Sequence, residues 1–106
     1  MPQRKKPERN KDHLEFIRQL PCLVCGDNTS TEAAHIRSGT DGGMGMKPSD
    51  KFVIPMCHTC HAMQHNYGER VYWGQFHISP LEVAAELWQA SGDYDEGLRI
   101  VERANG

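Results

Sequence analysis

Apolar residues recur at helical spacing in three stretches of this chain and cluster at strand-like content in two short ones. Leu14, Phe16, Ile17 and Leu20 give the first stretch a partly periodic apolar face. Asn10 is placed to cap that helix and Pro21 to end it. Thr31–Arg37 is a short strand by its pattern, with His35 near its end, and Lys51–Ile54 is a second by aromatic and β-branched content. Pro55, a poor central-strand residue, is expected to end it. A helix is predicted from Cys57 to about Asn66, broken by Gly68. Residues 69–77 are aromatic-rich and ambiguous.

The C-terminal third is clearer. Ser79-Pro80-Leu81-Glu82 is a capping box with proline at the first helical position, followed by an apolar stripe of Leu81, Val83, Ala84, Leu87 and Trp88. Asp93 to Glu96 repeats the capping logic before Leu98, Ile100 and Val101. These stripes are read as core packing. Between the two strands, Ser38–Asp50 holds four of the chain's ten glycines (Gly39, Gly42, Gly43 and Gly45), a flexible or tightly turned loop.

At 106 residues the chain supports one domain with a modest core, a size at which a structural metal is a useful staple. No apolar run approaches the roughly 20 residues that span a bilayer. The N-terminus is basic with no apolar stretch behind it, unlike a secretory signal, so a cytoplasmic setting with reduced thiols is expected. The net charge of −2 is unevenly spread. Residues 1–51 carry nine Lys/Arg against seven Asp/Glu, and residues 52–106 carry three against seven. The basic excess lies in Arg4, Lys5, Lys6, Arg9 and Lys11. Residues 1–9 are read as a disordered arm, either solvated or contacting phosphates, and 10–106 as the domain, with C-terminal helices over about 79–104.

The four cysteines form two C-x-x-C pairs, Cys22/Cys25 before the first strand and Cys57/Cys60 after the second. A hairpin would bring both pairs together at its base, where four thiolates close a tetrahedron around one structural Zn²⁺. A redox pair explains one C-x-x-C and not two. Cys57 to His61 also matches the C-x-x-C-H haem-attachment pattern, but that reading leaves Cys22 and Cys25 unexplained. Beyond the cysteines, His61 and His65 stand four apart, so on a helix they share one face and can grip one metal. His35, near the end of the first strand, would face that helix and could take a proton from water while a metal steadies charge on a phosphate. His13, His58 and His77 have no such grouping.

Taken together, Cys22/Cys25, Ala34-His35-Ile36-Arg37, the glycine-rich loop with Lys47-Pro-Ser-Asp50, and Pro55 to His61 resemble the HNH, or ββα-metal, nucleases, especially small phage and prophage members. The match covers roughly residues 21–66, under half the chain. The resemblance implies an α+β fold: a ββα-metal hairpin-helix core stapled by a four-cysteine zinc site, with flanking helices. It implies His35 as general base for water, His61 and His65 as catalytic-metal ligands, and the four cysteines as structural zinc ligands. The implied cofactors are that zinc and a divalent catalytic metal (Mg, Mn, Ni or Zn). The implied partners are DNA and a phage or host recombination or packaging protein, with no membrane.

Two departures stand out. Many HNH enzymes carry Asp or His just before the base, where this chain has Ala34, and the middle Asn falls on Phe52. Asp50 is the candidate replacement as a metal ligand, and Glu32 a weaker one. Arg37 and Lys47 are the expected phosphate contacts. Arg70, Tyr72 and Trp73 could meet nucleic acid, although the two aromatics are better suited to packing. The activity expected is metal-dependent hydrolysis of a DNA phosphodiester. The alternative, favoured by Ala34 and Phe52, is a non-catalytic zinc module that binds DNA or a protein.

Overall fold

The computed structural model describes residues 7–42 and 46–106. In chain order the elements are α1 (Lys11–Arg18), β1 (Thr31–His35), β2 (Val53–Cys57), α2 (His58–Tyr67), α3 (Glu69–Trp73), α4 (Pro80–Gln89) and α5 (Tyr94–Asn105). This is an α+β fold in which a β-hairpin runs into a helix, a four-cysteine cluster joins them, and further helices flank the unit. The glycine-rich loop's Gly43 and Gly45, and the arm's Arg4, Lys5 and Lys6, lie outside the described residues.

Helix ends follow local chemistry. The Asn10 side chain accepts from the His13 N–H, and Ser79 and Asp93 accept from the N–H groups of Glu82 and Glu96. Gly68, at φ 84°, closes α2, and the aromatic stretch after it becomes the short helix α3. Tyr72 and Trp73 are buried there.

β1 and β2 pair antiparallel, with Ala33 opposite Pro55 and His35 opposite Val53. Pro55 does not end the strand as expected; it sits in its middle. Just beyond the strand, Ile36 N–H donates to Phe52 C=O at 2.8 Å, which makes that opposed pair a hydrogen-bonded one. Such pairs alternate along an antiparallel ladder, so Pro55 falls at a non-bonded position where no N–H toward β1 is required. Its carbonyl faces the first cysteine turn and accepts from Leu23 N–H at 2.8 Å.

The core draws one or more side chains from each layer. Ile17, Leu20, Leu23, Ile54, Met56 and Leu87 are completely buried, each burial contributing about 1.5–3 kcal/mol. α1 packs on both strands and α4 on β2, while α5 closes on α4.

Ahead of α1, residues 8 and 9 together with Asn10 strap the loop before β2. Glu8 N–H donates to Ser49 Oγ at 2.8 Å, and Asp50 N–H donates to Glu8 C=O at 2.9 Å. Arg9 donates to the carbonyls of Lys47 and Pro48. Satisfying these loop carbonyls offsets the entropy of ordering the strap. Among the described residues no helix is long and apolar enough to cross a membrane.

Candidate metal centre and hydrolytic site

The two cysteine turns meet at the base of the hairpin. Gly26, at φ 81°, lets the first turn close, with Gly26 N–H donating to Cys22 C=O at 2.9 Å. The second pair straddles the start of α2, where Cys57 is the N-cap and its sulfur accepts from Cys60 N–H. One ligand sulfur from each of Cys22, Cys25, Cys57 and Cys60 lies within 4.8 Å of the others. The Cys25 and Cys57 sulfurs are 3.6 Å apart. Tetrahedral zinc with bonds of about 2.3 Å requires edges of about 3.8 Å, so the four sulfurs fit a structural Zn²⁺. Burial pushes the Cys22 thiol upward, but N–H groups of Cys25, Cys57 and Val24 directed at its sulfur bring it below the ordinary range. That arrangement suits a thiolate ligand.

A second constellation lies on the outer side of α2. His61 and His65 place their Nε2 atoms 3.2 Å apart. Two nitrogens bound to one metal at about 2.0–2.1 Å stand roughly 2.9–3.4 Å apart for bond angles between octahedral and tetrahedral, so the pair fits a shared cation. Glu32 fixes the tautomer of His61. Its Oε1 lies 2.7 Å from His61 Nδ1, and its Oε2 lies 2.9 Å from His58 Nδ1. These contacts hold the Glu32 carboxyl below its usual range, with the His61 contact the largest effect. An ionised carboxylate only accepts, so His61 Nδ1 carries the proton and its Nε2 lone pair is free for a metal.

Asp50 serves the other histidine. It was expected beside His61 and His65 as a metal ligand, but it is buried and turned to His35, with Oδ1 2.8 Å from His35 Nε2. The strap holds it there: Asn10 N–H donates to Oδ2 at 2.7 Å, and Arg9 lies 3.3 Å from Oδ1. Burial raises the Asp50 carboxyl, yet the Asn10 N–H, His35 and Arg9 outweigh it and leave the group below its ordinary value. His35 is also lowered, first by burial and then by Lys47 and Arg9, against the opposing pull of Asp50. The pair is therefore a neutral imidazole donating from Nε2 to a carboxylate, which leaves Nδ1 as a proton acceptor.

His35 and His65 line one cleft of about 460 Å³, together with Arg37, Gln64, Glu69 and Arg70. Lys47 is close enough to His35 to oppose its protonation. Glu69 pins the exit of β1 by accepting from the N–H groups of Arg37 and Ser38 at 2.7 and 2.9 Å. The two positions that depart from the HNH pattern carry no ligand: Ala34 is in the core, and Phe52 lies under the Lys51 ammonium at 5.3 Å. Glu32 stands two residues before Ala34, on the same face of β1 by strand alternation. The roles of Arg9, Asn10 and Glu69 were not foreseen, because their partners lie 31–41 residues away along the chain.

Fold and site together define a small hairpin-helix protein with a four-cysteine metal cluster and a separate histidine-carboxylate cleft. The chain belongs to the family described as protein of unknown function (DUF968), whose model matches residues 1–92. It is also similar to the uncharacterized protein YdfU of Escherichia coli (strain K12), at 31% identity over 65 residues. That match covers 61% of this chain and 18% of the relative, so the chain spans under a fifth of that protein's length. No solved structure matches.

Proposed function

We propose that this protein is a metal-dependent endonuclease of the HNH type that hydrolyses DNA phosphodiester bonds. The observation that carries the reading is the shared cleft of His35 and His65, with His35 oriented by Asp50 and with His61, the helical neighbour of His65, oriented by Glu32.

Each residue has a part. His35 Nδ1 accepts a proton from the attacking water, and Asp50 stabilises the imidazolium that forms while keeping the ring oriented. Arg37 and Lys47 hold the non-bridging phosphate oxygens, Arg37 by its planar fork and Lys47 as a point charge. A divalent ion (Mg, Mn, Ni or Zn) on the Nε2 atoms of His61 and His65 would polarise the phosphate and stabilise the departing 3′-oxygen. A zinc ion on Cys22, Cys25, Cys57 and Cys60 would hold α2 to the hairpin and would take no part in the reaction. DNA is the substrate, and a phage or host recombination or packaging protein is the partner that would deliver it. The cytoplasmic setting fits reduced thiol ligands.

The test is cleavage of supercoiled plasmid by wild type and His35→Ala, both zinc-loaded, with each divalent metal added in turn. Cleavage by wild type that disappears in His35→Ala is the expected result. Equal cleavage by both proteins would remove His35 as the base.

One observation favours a second reading, a non-catalytic zinc module. Among the described residues, the four cysteines are the one group of three or more clustered candidate ligands. Metal titration separates the two: a nuclease takes up a second equivalent that His61→Ala and His65→Ala each abolish, and a zinc module does not.

A further inference from the structure

A second cavity, of about 300 Å³, adjoins the hydrolytic cleft. Its walls are Ile36, Trp73, Pro80 and Leu81, and it shares Ser38, Glu69 and Arg70 with the cleft that holds His35 and His65. The chemistry changes sharply across that shared edge. One side carries the imidazoles and Arg37; the other is mainly apolar, with an indole and a proline ring beside the single hydroxyl of Ser79.

We propose that this slot receives one nucleobase of the substrate strand, unstacked and turned out beside the phosphate that occupies the cleft. The proposal rests on the nuclease reading for the position of that phosphate. Size argues for a single base: the volume stands at the lower end of small-ligand sites and cannot seat a helix or a second protein surface. Surface character agrees, because every base offers a flat π-face to apolar and aromatic walls. The junction agrees as well. Arg70 borders both spaces, and a guanidinium there can meet the phosphate or lie against the base. Glu69 is held by two backbone N–H groups, and its oxygens keep lone pairs able to accept from an exocyclic amine.

A base stacked inside a duplex cannot enter this slot. Extrusion costs least where the nucleotide is mismatched, bulged or single-stranded, so the substrate class is DNA carrying an unpaired nucleotide next to the scissile phosphate.

The test is a binding measurement on the full, zinc-loaded chain with no further metal added, so that cleavage does not intervene. Fluorescence anisotropy would compare a fully paired duplex, a duplex with a one-nucleotide bulge, and the same bulge made abasic. The base-bearing bulge is expected to bind about tenfold tighter than the abasic one. Leu81→Trp, which fills the slot, should bring that ratio close to one. Equal binding of the two bulges by wild type overturns the proposal, and so does a ratio that Leu81→Trp leaves untouched while the variant keeps its zinc and fold. If Leu81→Trp fails to fold, the wild-type comparison decides alone. A base preference with no cleavage of either the plasmid or the bulged duplex once divalent metal is added would sink the nuclease reading and keep the slot. His35-dependent cleavage without a base preference would do the reverse.

Discussion

Glu32 and Asp50 do the same work on two different histidines. Each carboxylate accepts from one ring nitrogen and thereby leaves the other as a lone pair, which in the proposed nuclease would serve a metal on His61 and a proton on His35. Glu32→Gln removes the charge that fixes His61 and is expected to weaken the second metal equivalent by about 10–100-fold, read by calorimetric titration of the zinc-loaded protein. Zinc content should stay the same, since Glu32 does not reach the cysteines. Asp50→Asn should lower cleavage about 10²–10⁴-fold with folding retained, because the amide neither favours the productive tautomer as strongly nor stabilises the imidazolium. Cleavage near the wild-type rate would place Asp50 in a purely structural role. Asp50 is the residue whose sequence reading changed most. Its carboxylate type and its nearness to the missing Asn were legible, but which histidine it meets depends on the strap from Asn10.

At the level of elements, the hairpin and α2 depend on the cysteine cluster. Two strands and one helix of this length bury too little to stand alone. Cys22→Ser, or a strong chelator, is therefore expected to abolish the cooperative thermal transition and release one zinc per chain, with circular dichroism and a chromogenic zinc assay as readouts. A cooperative transition that survives zinc loss would show that the helical core carries the fold. The C-terminal helices were the most legible part of the chain, because both carry their own caps and stripes. What their sequence did not announce is how closely α5 approaches α1. A Cβ at Gly97 would stand 2.7 Å from Phe16 Cζ and 3.2 Å from Leu20 Cδ2. Gly97→Val should cost about 1–3 kcal/mol by overpacking, seen as a lower denaturation midpoint with unchanged zinc content. Pro55 teaches the complementary lesson. Its usual meaning as a strand end failed because the ladder's alternation leaves that position without a required donor.

On the scale of the whole molecule, acid sensitivity follows from two imidazoles, His13 buried and His35 part-buried. His13, on α1, is fully buried with its ring against Trp88 and Nδ1 2.7 Å from Ser91 Oγ, and its Nε2 has no partner among the described residues. Burial lowers it, against the opposing charge of Asp50, and His35 is lowered too. A base that is harder to protonate when folded binds fewer protons in the native state. Stability is therefore full above the ordinary histidine value of 6.5 and falls as the pH drops below it. The depressed carboxyls of Glu32 and Asp50 add a further loss near and below the ordinary range of free carboxylates. Denaturant midpoints measured between pH 8 and pH 4, about one unit apart, should decline from roughly 6.5 downward, and His13→Gln should flatten the first part of that decline. A midpoint that holds steady to pH 5 would mean that His13 is not protonation-limited.

Sequence alone determined the features that depend on neighbours in the chain: helix caps, the turn-forming cysteine pairs, the i, i+4 histidines and the apolar stripes. These are set by spacing, and spacing is what a sequence records. Tertiary structure decided the pairings across the hairpin and the strap: Asp50 with His35, Glu32 with His61, Glu69 with the exit of β1, and the apolar slot beside the cleft. Those contacts join residues 15 to 41 positions apart. Their geometry follows from how the layers pack, so the identity of a carboxylate could be read early, but the side chain it serves could not.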